Sequence, residues 1–156
     1  MCYLEKKEYN KAIELLEHVV RKEKQILGDS HISTLSSISN LATCNIGNKE
    51  FDKAIELLEH VVMVQKQLVG DSNEDTLTSM CNLGTCYLEK NELDNAIELL
   101  EHVVTKRKQL LGDSHKDTVT SIGNLAECYL RKKDFNKAME LLKHAVKKQK
   151  QLIRFT

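Results

Sequence analysis

The chain has 156 residues, and its 23 Lys and Arg are balanced by 23 Asp and Glu, so no net charge draws it to nucleic acid or to an anionic membrane. No apolar run approaches the roughly 20 residues that cross a bilayer, and the N-terminus has no apolar core of a secretory signal. Proline and tryptophan are absent while helix formers abound, which points to an all-α protein.

The predicted elements follow a strict period. Ala-Ile-Glu-Leu-Leu-Glu-His-Val-Val begins at Ala12, Ala54 and Ala96, a variant begins at Ala138, and each start lies 42 residues after the last. Such a period signals stacked copies that bury a core between neighbours. Met1 to Lys6 read as the last turns of a first helix, and a second helix then ends at Gly28. The next copies are clearer. Ala54, Leu57, Leu58, Val61, Val62 and Leu68 recur at steps of three and four, the stripe of an amphipathic helix ending at Gly70. Gly28, Gly70 and Gly112 are expected in the left-handed helical conformation after each long helix. A polar connector leads to a first helix capped by Ser33, Asp75 or Asp117. That helix runs through Met80, Leu83, Gly84 and Tyr87, breaks at Lys90-Asn91-Glu92, and the second helix reopens near Leu93. The tight turn makes the two helices antiparallel neighbours.

One domain over 1–156 is expected, with a partial repeat at 1–28 and repeats at 29–70, 71–112 and 113–156. The chain opens inside a unit and closes without a polar capping helix, as an excerpt of a longer array would. Cys2, Cys44, Cys86 and Cys128 share one repeat position, so they read as small buried reduced thiols, which favours a cytosolic or nuclear compartment, and a cytoplasmic one is expected. Cys81 falls outside that register and is expected at the surface. His18, His60, His102 and His144 recur on the second helix, with His31 and His115 in connectors. They lack any metal-ligand spacing and read as solvated side chains. No metal and no cofactor is expected. The tail cluster Lys143, Lys147, Lys148, Lys150 and Arg154 reads as a solvated helix face complementing the dipole.

In the third copy, Met80-x-x-Leu83-Gly84-x-x-Tyr87 followed by Leu93, Ala96, Leu100 and Val103 resembles the tetratricopeptide repeat. The 42-residue length, and the phrase Leu-Gly-Asp-Ser-His-x-x-Thr-x-x-Ser at Leu27 and Leu111, are similar to the kinesin light chain and nephrocystin type. The resemblance implies a right-handed α-solenoid, a superhelix of stacked antiparallel helix pairs with about three and a half repeats, whose first helices line a concave face. The chain departs from that pattern where the usual turn glycine is Lys7, Lys49, Asn91 or Lys133, and where Asn45 replaces the tyrosine. Ser39, Cys81 and Gly123 stand where the light chains use Asn, and Ile46, Leu88 and Leu130 where they use basic residues. Capture of acidic peptides is therefore not carried over.

On the concave face the resemblance places Asn40, Asn82 and Asn124 beside Thr43, Thr85 and Glu127, with Glu89 and Arg131 a turn later. The amides either hydrogen-bond an extended partner or hold adjacent helices in place. Leu4, Ile46, Leu88 and Leu130 share one position and form either an apolar groove floor or inter-repeat core. The expected role is a non-enzymatic scaffold that binds a peptide or helix of a protein partner, with no nucleic acid and no membrane. The alternative is a structural module that stacks end to end in a longer array or a homo-oligomer through uncapped ends.

Overall fold

The computed structural model of the protein describes residues 3–143, and the side chains of residues 8–143. The side chains of Cys2, Leu4, Lys7 and His144, and the tail cluster beyond Lys143, lie outside the described residues. The elements are α1 (Tyr3–Leu27), α2 (Ile32–Gly47), α3 (Phe51–Val69), α4 (Glu74–Glu89), α5 (Leu93–Leu111) and α6 (Lys116–Arg131). Residues 135–143 are also helical, and no strand occurs among the described residues. The chain divides into two compact units, Met1–Cys86 and Tyr87–Thr156.

In the first unit α1 packs on α2 and α2 on α3. Ile13, Val20, Leu35, Ile38, Leu41, Val61 and Val64 form their shared core, with Leu16, Cys44 and Leu57 at its edge. The three-and-four spacing on each helix turns these side chains to one face. In the second unit α5 packs on α6. Ala96, Leu100, Val103 and Val104 are buried on α5, and Ile122, Leu125, Ala126, Cys128 and Tyr129 on α6. Thr34, Thr76 and Thr118, one per copy, are fully buried, and their hydroxyls have no hydrogen-bond partner among the described residues.

Each first helix starts two residues earlier than its expected cap. His31 Nδ1 accepts from Ser33 N–H at 3.2 Å, Asn73 Oδ1 from Asp75 N–H at 2.9 Å, and His115 Nδ1 from Asp117 N–H at 3.3 Å. Ser33, Asp75 and Asp117 therefore lie inside the first turn, where the two carboxylates meet the positive end of the helix dipole. The connector histidines are caps, with Nδ1 as the acceptor.

The helix ends also depart from expectation. Gly70 (φ 89°, ψ 166°) and Gly112 (φ 85°, ψ 164°) have positive φ but extended ψ, a region open essentially to glycine alone and distinct from the left-handed helical one. The left-handed residues are Lys49, Asn91 and Lys133, with φ of 62° to 64°. At the α2 end, Glu50 N–H reaches back to Asn45 O and Lys49 N–H to Ile46 O, closing a Schellman-type turn around Lys49. Asp134 N–H and Lys133 N–H repeat this at Tyr129 O and Leu130 O.

Three burial expectations are corrected. Cys81 is buried, because α4 covers a broad arc that also includes Leu77, Met80, Leu83 and Cys86. Leu68 is 53% exposed, because the last turn of α3 runs past the core. His60 and His102 are half-buried where solvated rings were expected, while His18 is exposed. Cys86 and Cys128 are sealed, Cys44 is half-buried, and all the described cysteines are thiols outside any disulfide.

Candidate partner-binding groove

The surface feature of the first unit is a groove of about 270 Å³. Ile32, Leu35, Ser36, Ser39 and Asn40 of α2 form one wall, Gln65, Leu68 and Val69 of α3 the floor end, and Asp75, Thr78 and Ser79 of α4 the other wall. Three of these apolar side chains face water: Ile32 (74%), Leu68 (53%) and Val69 (49%). The helix α2 carries no charged residue at all, so the wall it supplies is neutral. Asp75 is the one ionisable lining residue, and its carboxylate makes no ion pair among the described residues. Gln65 Oε1 is buried without a hydrogen-bond partner among the described residues. The lining thus combines exposed apolar surface with acceptors and lacks a cation.

The residues singled out in the sequence fare differently. Asn40 lines this groove and is exposed. Neither Asn40 nor the half-buried Asn82 amide makes a side-chain hydrogen bond among the described residues, whereas Asn124 is engaged. Thr43 and Thr85 hydroxyls donate to the carbonyls of Ser39 and Cys81 one turn back, at 2.9 and 3.0 Å. That is ordinary intrahelical satisfaction of a threonine. Arg131 Nη2 holds Glu127 Oε1 at 2.7 Å and approaches Glu89 Oε1 at 3.5 Å, while Nη1 donates to Leu88 O at 2.9 Å. The bond to Glu127 is the main reason the guanidinium pKa is raised. Glu89, Glu127 and Arg131 are brought together, but as an intramolecular cluster. Leu88, expected to offer its side chain to a partner, is 2% exposed and belongs to the core. Its counterpart Leu130 is 44% exposed, and Ile46 is half-buried.

The second unit fills positions that the groove leaves open. Arg107, one repeat on from Gln65, is 4% exposed and donates through Nη1 to Ser121 Oγ at 2.9 Å and to Asp117 O at 3.4 Å. Tyr129 donates its hydroxyl to Glu101 Oε1. Burial, and then that carboxylate, push the phenol pKa well up. Burial likewise raises the Cys128 thiol from 9.0 to about 11, so it stays a protonated core group and a poor nucleophile.

Reading the sequence missed Gln65, Leu68, Val69 and Asp75 as groove residues. Gln65 stands where the next copy has Arg107, and that change of charge within a repeat position is the signal that would have found it. Among the described residues no group of three or more His, Cys, Asp or Glu is placed to hold a metal.

Antiparallel helix pairs recurring every 42 residues, with the same turn geometry after α2, α4 and α6, define an all-α solenoid. The tetratricopeptide repeat profile matches residues 1–63, 38–109 and 91–151. The chain belongs to the tetratricopeptide repeat family, in its kinesin light chain type. The crystal structure of a putative kinesin light chain of Podosopora anserina with nearly identical TPR-like repeats matches at 32% identity and a TM-score of 0.87, covering 96% of this chain and 71% of that one. A single-substitution variant of that protein matches at 32% identity and 0.88, covering 96% and 70%. BtubC (BKLC) from P. vanneervenii shares the fold at 16% identity and a TM-score of 0.82, over 92% of this chain and 57% of that one. No curated protein matches in sequence. Tetratricopeptide repeats are in general protein-interaction scaffolds, typically without catalysis. No described helix is long and apolar enough to cross a membrane.

Proposed function

We propose that the chain is a non-enzymatic scaffold that binds a peptide or helical segment of a protein partner on the face of its first helices. The observation that carries this is the groove between α2 and α4, where Ile32, Leu68 and Val69 face water beside the uncommitted amide of Asn40. Exposed apolar side chains flanked by polar groups in a concavity are what a docking segment needs. Within the first unit Asn82 is the counterpart of Asn40 one repeat on, with Thr43 and Thr85 beside them, and Asn124 is the corresponding amide of the second unit. Glu89, Glu127 and Arg131 serve first as a brace. The stretches 1–28, 29–70, 71–112 and 113–156 are read as one repeat domain. The buried thiols support a reducing, cytoplasmic compartment.

Affinity capture with the full chain tests the reading. Leu68→Asp and Asn40→Ala, with unchanged helical circular dichroism, are expected to release proteins retained by the parent chain. Identical retained sets from all three chains would remove the groove from the account.

A second reading is end-to-end stacking of copies. The apolar face of α1 supports it. Leu15 is 70% and Val19 40% exposed, whereas Val61 and Val103, which share Val19's repeat position, are fully buried. Light scattering over a concentration series separates the two, since a strict monomer excludes self-stacking.

A further inference from the structure

We propose that the groove between α2 and α4 is a receptor for a cationic side chain, arginine foremost, carried on an apolar partner segment. This rests on the groove being the partner site and adds the chemistry of what enters it. Charge complementarity is the first argument: the lining holds the unpaired Asp75 carboxylate and the unpartnered, buried Gln65 Oε1, and no lysine or arginine. An acidic segment would meet the Asp75 carboxylate with no lysine or arginine in the lining to hold it.

The second argument comes from the chain's own precedent. Ser121 and Asp117 are the counterparts, one repeat on, of Ser79 and Asp75. Between them Arg107 inserts its guanidinium, bonded to Ser121 Oγ and to the Asp117 carbonyl. At the groove the same repeat position holds Gln65, which is shorter and neutral, so the cation that closes the later junction is missing from the earlier one. A guanidinium arriving from a partner supplies donors to Gln65 Oε1 and a charge to Asp75, and its planar fork suits several acceptors at once. Ile32, Leu68 and Val69 then cover the flanking apolar side chains of the incoming segment.

The test pans a randomised peptide display library on the full chain and measures the synthesised consensus peptide by fluorescence anisotropy at low and high salt. The expected consensus places Arg or Lys beside Leu, Ile, Val or Phe and excludes Asp and Glu. Its affinity falls with salt and drops roughly tenfold in Asp75→Asn. Gln65→Arg, which supplies the cation internally as Arg107 does, should lower affinity by at least roughly tenfold with unchanged helicity, and Leu68→Asp should abolish binding. A charge-indifferent or acidic consensus that is still lost in Leu68→Asp overturns the cation receptor and leaves the groove standing. No enriched peptide, or a consensus indifferent to both Leu68→Asp and Gln65→Arg, overturns the groove reading along with it.

Discussion

The hairpin of α1 and α2 and that of α5 and α6 hold the same repeat positions two copies apart, yet they finish their contacts in different ways. Where α6 has Tyr129, reaching the Glu101 carboxylate, α2 has Asn45, 2% exposed, with Nδ2 spent on Leu41 O and Oδ1 left buried without a partner among the described residues. Just after α6 Lys132 pairs with Asp94, whereas just after α2 Asn48 donates to Asn10 Oδ1 at 3.0 Å. Where α6 ends on Arg131, α2 ends on Gly47, and a Cβ there would overlap the Tyr9 ring. One hairpin is closed by long charged side chains and a tyrosine, the other by short neutral amides. The later hairpin uses its polar groups to brace itself, and the neutral α2 leaves apolar surface and acceptors for something else.

Four measurements can break or sharpen this contrast. The largest effect concerns the sealed end of α6. Cys128 is fully buried with its pKa raised from 9.0 to about 11, so between those values the unfolded chain has lost a proton that the folded chain keeps. The thiol's contribution is complete below pH 9 and is lost as the pH climbs toward 11, about 2–3 kcal/mol in all. Urea unfolding at pH 7 and at about pH 10.5 should show that loss, and Cys128→Ala should shrink it. An equal decline in Cys128→Ala would contradict the assignment.

Next in size, Tyr129→Phe removes the donor to Glu101 and should cost about 1.5 kcal/mol, read as a lower urea midpoint with an unchanged slope. Asn45→Leu should act in the opposite sense. Replacing a buried, half-satisfied amide by an apolar group of similar size is expected to stabilise by about 1 kcal/mol and raise Tm by about 2–4 °C. A destabilised Asn45→Leu would mean that the amide is an integral part of α2.

The smallest change examines what the hairpins share. Lys49 and Lys133 sit at φ of 63° and 64°, where an L side chain is strained. Lys49→Gly and Lys133→Gly should each stabilise by about 0.5–1 kcal/mol, and by similar amounts. A gain at one position alone would show that the two turns are not equivalent.

The repeat was fully legible in the chain, because a helix advertises its buried face through a period of three and four, and copying that period advertises the stack. Turn positions were legible only in part. Lys49, Asn91 and Lys133 do form turns, but the left-handed residues were expected at Gly28, Gly70 and Gly112, and the break expected after Lys6 is replaced by the unbroken helix α1. The caps were less so: serine and aspartate are the commoner caps, and only geometry showed His31 and His115 accepting through Nδ1. The groove was hardly legible. Of the residues expected to meet a partner, Asn40 lines it, Leu88 is core, and Arg131, Glu127 and Glu89 hold one another.

By itself the amino-acid order determined the repeat period, the hairpin unit and the family, because these follow from local periodicity and from spacing that folding does not alter. Tertiary packing alone decided which polar groups are consumed inside the protein and which stay available. Whether Arg107 finds Ser121, or Gln65 is left with a bare oxygen, depends on distances between helices that no spacing along one helix encodes.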